Sequence, residues 1–278
     1  LVQSEMDDLV TVTLFSDFEQ NLIRLPAFVE SLFDDTDKIM LTFNFNPALH
    51  ELRVDYGDKT KGVFKYEDQN LISTVISYDR DLISPKKGEL LFLGNLEALK
   101  YDRFDPTSNM SDFFFDSKLT PTVDLKIGQL ELGFLQLEDL VLNAQSNKNK
   151  INIELMSEAI SGTVELSQKN KMPPKLYFSE FAISQVIDGN KRSIEAFDPR
   201  LMPHMDVSIK NLSFENIALG DLGFKLRGEK NKTVFKDING EIFSLNIKSD
   251  EEKSSNFVWV YDGMSHQSEF SGLISMGN

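Results

Sequence analysis

The amino-acid sequence predicts an all-β protein built on a repetitive antiparallel sheet. Three features lead there: side-chain alternation with a period of two, turn-forming stretches between the alternating runs, and an internal repeat. Alternation sends successive side chains to opposite faces of a strand. It is clear from Met40 to Phe45, where Leu41, Phe43 and Phe45 share a face, and from Glu51 to Tyr56. It recurs in Lys150–Leu155, Ser161–Leu166, Phe243–Ile247 and Asn256–Tyr261. The intervening Tyr56–Lys59, Ser84–Gly88, Gln145–Asn149, Arg227–Asn231 and Lys248–Lys253 carry the Gly, Pro, Asn, Asp and Ser of turns. Helix is expected in one or two short places only. Phe18–Phe33 is apolar-rich but broken by Pro26, and Asp68–Ser77 has β-branched residues that suit a strand as well.

The repeat lays Val123–Ala144 on Met205–Leu226 without a gap, at a constant offset of 82. Asp124 falls on Asp206, Ile127 on Ile209, Leu130 on Leu212, Leu137 on Leu219, and Asp139–Leu140 on Asp221–Leu222. Leu132 with Phe214, Leu135 with Ile217 and Leu142 with Phe224 keep the apolar register. A repeat that cannot bury its own apolar face stacks on its neighbours. The expected organisation is a β-rich N-terminal unit over 1–120, a first β repeat over 121–187, a connection over 188–203 and a second β repeat over 204–278. The ends carry no polar cap, and the chain is expected to be a segment of a longer array.

Composition narrows the function classes. Of 278 residues, 44 are acidic and 29 basic, a formal charge of -15. Scattered, outnumbered cations argue against nucleic acid and against an electrostatic grip on anionic headgroups. Apolar residues make up 41%, with no run near the ~20 that spans a bilayer, so a soluble chain is expected. Cysteine is absent, which removes disulfides, thiol nucleophiles and Cys-ligated metals. The 22 Phe against 6 Tyr and one Trp imply large, purely apolar surfaces, either packed core or an oily lining.

Catalytic signatures are missing. The chain has no glycine-rich phosphate loop, zinc-protease helix, nucleophile elbow or EF-hand loop. His50, His204 and His266 stand in three separate stretches, without ligand spacing. The carboxylate pairs Asp7–Asp8, Asp34–Asp35 and Glu251–Glu252 read as solvated faces rather than as the paired acids of a glycosidase. Asp124, Asp206, Asp139 and Asp221 repeat, and repetition favours a structural role over a single catalytic site. No enzyme activity, metal or cofactor is expected. Phe113–Phe115 reads as a strand buried on both faces or as a patch for lipid or a partner. Trp259, between Phe257 and Tyr261, reads as core.

Met205–Ile209, Ala218–Leu222, Ile238–Ile242, Val258–Gly263 and Phe270–Ile274, with Ser16–Phe18, Leu25–Pro26 and Leu41–Phe45 before them, resemble the YhdP branch of the AsmA-like proteins. The similarity covers most of the chain in order. It implies a long periplasmic protein of Gram-negative bacteria, anchored in the inner membrane by a helix outside this chain. Curved, stacked strands would form an elongated groove, apolar inside, that carries phospholipid toward the outer membrane and supports its permeability barrier.

The residues fit such a groove, because burial of about 0.8 kcal/mol per methylene holds acyl chains without polar recognition. The expected lining is Leu140, Leu142, Ile151, Ile153 and Leu155 from the first repeat, with Leu222, Phe224, Phe243 and Leu245 from the second. The expected partners are phospholipid acyl chains, and the two membranes through parts of the longer protein. The alternatives left open are a structural or adhesive β-repeat module that binds a protein or glycan, and a glycan-cleaving enzyme on a β scaffold.

Overall fold

The structure is a computed structural model that describes residues 3–5, 9–17, 38–45, 50–101, 119–132, 135–147, 149–167, 172–183, 204–215, 217–229, 232–249, 254–261 and 265–276. Among them there is no helix, and nineteen strands join in a single sheet.

The first six strands form an antiparallel meander: β1 (Gln3–Glu5), β2 (Leu9–Asp17), β3 (Lys38–Phe45), β4 (His50–Tyr56), β5 (Thr60–Glu67) and β6 (Asn70–Tyr78). Here the structure decides the ambiguous Asp68–Ser77. Asp68 and Gln69 take left-handed φ values of 47° and 65°, a two-residue hairpin turn, and Asn70 onward pairs with β5. The second possible helix, Phe18–Phe33, lies outside the described residues.

β7 (Glu89–Tyr101) runs parallel to β6 and also to β8 (Thr120–Leu132). Five antiparallel strands then follow from β8 through β9 (Leu135–Asn147), β10 (Lys150–Met156), β11 (Ile160–Ser167) and β12 (Lys175–Ile183). A third parallel step leads to β13 (Met205–Phe214), β14 (Ile217–Glu229) and β15 (Lys232–Ile242). Both β16 (Leu245–Lys248) and β17 (Asn256–Tyr261) pair with β15, at opposite ends of it, and are in turn paired with β19 (Leu273–Met276) and β18 (His266–Ser271). The sheet is therefore mixed, though mostly antiparallel, and its described pairings do not close into a barrel.

Each parallel step needs the chain to return to the other end of the strands. The described return, 79–88, lies on the outer face. Its Leu82 packs on Val63, Val75, Leu91 and Leu93, and Arg80 pairs with Asp124 at 2.9 Å. Ser84–Gly88, read as a turn-forming stretch between strands, is the last part of this crossover.

The two repeated segments have the same pairing from Val123 to Ile127 and from Met205 to Ile209, beyond which β13 and β14 shift register. Val123 opposes Ala144 and Ile127 opposes Leu140, while Met205 opposes Leu226 and Ile209 opposes Leu222. The equivalence extends beyond the stretch read from sequence. Leu96 of β7 pairs with Ile127 as Phe178 of β12 pairs with Ile209, and Ile153 of β10 opposes Ala144 as Phe235 of β15 opposes Leu226.

Candidate functional site

Residues directly opposed across a ladder point to one side of the sheet, so the register traces each face from strand to strand. One face is mainly apolar along its described course, with polar side chains such as His50, Thr74 and Thr233 also on it. It carries Leu41 and Phe43 in β3, Leu52 and Val54 in β4, Phe64 in β5, Ile76 in β6, and Phe92 and Leu96 in β7. It continues through Val123, Leu125 and Ile127, then Leu140, Leu142 and Ala144, then Ile151, Ile153 and Leu155. Val164 and Leu166, Leu176 and Phe178, Val207 and Ile209, Leu222 and Phe224, and finally Phe235 and Phe257 complete it. The opposite face carries Arg53, Asp55, Asp124, Lys126, Glu154, Glu165, Lys175, Asp206 and Lys225.

The apolar face is concave. Leu96, Ile127, Leu137, Leu140, Ile160, Phe178, Val207 and Ile209 form one cluster that runs strand by strand from β7 to β13, and Ile127 and Leu140 in it are 2% and 1% exposed, where the face of a flat single sheet would lie open to solvent. A second cluster, nearer the other ends of the same strands, joins Val123, Ala144 and Ile151, with Phe92, Leu142, Ile153 and Leu166 against it. Past the first repeat the lining turns aromatic: Phe224 lies 5.2 Å from Phe235, and Phe235 5.5 Å from Phe257, centroid to centroid.

Eight of the nine residues expected to line a groove stand on this face. Leu140 and Ile151 are at its floor, 1% and 2% exposed, whereas Leu142, Ile153, Leu155, Leu222 and Phe224 are half-buried and Leu245 is exposed. Phe243 is different. It is not in a strand but leads the two-residue turn between β15 and β16, with φ 49° followed by 65° at Ser244. The alternation from Phe243 to Ile247 thus begins at Leu245, because a left-handed pair of residues breaks the period-two pattern. Sequence reasoning passed over Leu125, Val164, Leu176, Phe178, Val207, Phe235 and Phe257. Their own alternation was the available signal.

The polar face is held by ion pairs. Asp206 accepts from Arg227 at 2.6 Å, and the same guanidinium donates to the carbonyls of Met205 and Leu226. Lys225 meets Asp237 at 2.8 Å, and Lys150 meets Glu165 at 2.9 Å. The Lys225 hydrogen bond, reinforced by the Ser254 hydroxyl, lowers the Asp237 pKa, and the Lys150 hydrogen bond lowers that of Glu165. Both acids stabilise a face, and neither faces the concave side. His50 and His204 are exposed, and Trp259 Nε1 donates to His266 Nδ1 at 3.1 Å. Among the described residues no group of three His, Cys, Asp or Glu could hold a metal ion, and no helix is long and apolar enough to cross a membrane. Phe113–Phe115 lies outside the described residues.

An open sheet curved around one mainly apolar face, with its ion pairs on the other, defines a β-groove protein. The chain belongs to the YhdP family: the family model described as YhdP protein matches residues 2–278. That family is one of bridge-like lipid transport, and it is not known for enzymatic activity. No curated protein and no solved structure matches the chain.

Proposed function

We propose that this chain is a groove segment of a periplasmic protein that carries phospholipid between the inner and outer membranes and so supports the outer-membrane permeability barrier. The observation that carries the reading is the apolar concave face, continuous from β3 to β17. Acyl chains lie along Leu142, Ile153, Leu155, Leu222 and Phe224, the half-buried members of the lining, with Leu140 and Ile151 beneath them. Contact of this kind is non-directional, worth about 0.8 kcal/mol per methylene, and it lets a lipid slide from one repeat to the next. The repeats are 121–187 and 204–278, joined by 188–203 and preceded by the unit 1–120.

A photo-crosslinking residue at 142 or 224 captures phospholipid in cells while the protein stays folded, and Leu142→Asp and Phe224→Asp fold but lose transport. The second reading, a structural or adhesive β-repeat module, draws on the deep burial of Ile127 and Leu140 in a cluster that runs from β7 to β13. Unfolding of both aspartate variants, with no lipid captured at either position, decides for that module, because a packed core charges several kcal/mol for an unpaired carboxylate.

A further inference from the structure

The hairpin tips of the second repeat expose apolar side chains in a row. Phe214 ends β13, Ile217 begins β14, and Phe243 turns β15 into β16, with exposures of 41%, 55% and 62%. The two tips are adjacent: Phe214 opposes Ile217 in the first, and the Phe243 amide of the second donates to the Leu219 carbonyl at 2.9 Å. Phe243 also holds a left-handed φ of 49°, a conformation that costs a bulky side chain free energy and suits Asn or Gly. The hairpin ends on the opposite rim, Asp68–Gln69 and the residues joining Asn147 to Lys150 and Glu229 to Lys232, are polar.

Beside Phe243 the surface dips into a cleft lined by Lys210, Ala218, Leu219, Asp221, Glu241 and Ser244. Asp221 and Glu241 are directly opposite each other across the β14–β15 ladder, both exposed. Like charges in that relation destabilise a sheet. Among the described residues neither has an ion-pair partner, Lys210 included, whereas Asp124, Glu165, Asp206 and Asp237 on the outer face each have one. The first repeat has no such pair, since β10 ends at Met156, before the position that would match Glu241.

We propose that this rim docks a basic, amphipathic protein segment, a Lys or Arg seated between Asp221 and Glu241 and an adjacent apolar side chain against Phe243 and Ile217. The charge selects the occupant. Uncompensated carboxylates repel an anionic bilayer and a second copy of this rim, and a cation from a partner relieves the repulsion that the ladder carries when empty.

The test uses this chain and a synthetic peptide alternating Arg with Leu and Phe, alongside versions with Arg replaced by Glu and with Leu and Phe replaced by Ser. Only the parent peptide should bind well. Asp221→Asn with Glu241→Gln should weaken it about tenfold or more, as truncating paired charges at an interface does. Phe243→Asn, which accepts the left-handed turn and preserves the fold, should weaken it as well. Thermal midpoints of these variants should equal or exceed that of the parent. The charge-matched Glu154→Gln with Glu158→Gln, on the same rim of the first repeat, should leave binding within twofold. Equal losses from both pairs, or no loss from Asp221→Asn with Glu241→Gln, would overturn the proposal. So would binding to phosphatidylglycerol vesicles that depends on Phe243 and not on the two acids, or dimerisation of the chain through this rim.

Discussion

The β7–β10 and β12–β15 stretches share their register over Val123–Ile127 and Met205–Ile209, diverge where β13 and β14 shift beyond Ile209, and have different surroundings. Leu140 and Leu222 occupy equivalent positions, opposite Ile127 and Ile209. Yet Leu140 is sealed in the cluster that spans the curve, and Leu222 stays half-buried beside it. The ladder fixes which side chains face inward, but the curvature of the sheet fixes how much each is covered. Equivalent positions in the ladder therefore differ in how far they are covered.

The repeats part company after their third shared hairpin strand. β10 turns back after Met156, whereas β15 continues to Ile242, and its partner strand is broken by 249–255 between β16 and β17. Serines replace the lost ladder bonds there. Ser255, fully buried, donates its hydroxyl to the Lys248 carbonyl at 2.6 Å and accepts from the Leu273 amide at 3.1 Å, while Ser249 donates to the Ile238 carbonyl at 3.0 Å. Gly272 is required opposite this site, because a Cβ would lie 2.2 Å from Ser255 Oγ.

The largest expected effect tests unequal covering of equivalent positions. Leu140→Ala should cost about 3–5 kcal/mol and Leu222→Ala about half as much or less, measured by urea unfolding. Equal costs would mean that the second repeat is as closed as the first. Next comes the serine-filled break. Ser255→Ala leaves buried backbone groups without their hydroxyl and should cost about 1–3 kcal/mol, with a comparable or larger cost for Gly272→Ala from overpacking. Neither change should alter hydrogen exchange in β8–β10.

A smaller contrast separates the two equivalent aspartates. Arg80 reaches Asp124 from the crossover, and Arg227 reaches Asp206 from β14 while also capping two carbonyls. Arg227→Ala should destabilise by about 1–2 kcal/mol. Arg80→Ala should cost less than about 1 kcal/mol, as expected for a part-exposed pair.

The smallest effect is in the pH dependence. The folded pKa of Asp237 is lowered, so its contribution is present above the unfolded value of about 3.9 and is lost as pH falls through the folded value. Lys225, raised by the same contact, contributes below its unfolded value and loses that contribution as pH rises through the folded one. Asp237→Asn should thus flatten the acid limb of a stability profile below about pH 4, and an unchanged limb would remove Lys225–Asp237 from the forces holding the break.

Period-two alternation alone determined the strands and which side chains share the apolar face, because a pleated strand sends alternate side chains to opposite sides whatever surrounds it. It also excluded a slip by one residue in either hairpin, which would turn Leu140 and Leu222 outward, while the shifts in β13–β14 beyond Ile209 were left to the tertiary structure. Asp68–Ser77 stayed ambiguous in the sequence, as its β-branched residues suit either structure until β5 and β7 supply ladders on both sides. The parallel steps around β7, the crossover over Val63 and Val75, and the turn at Phe243 were decided only by tertiary structure. They depend on where the chain returns to the sheet and on which amides remain to be paired, and those quantities are set by residues far apart in sequence.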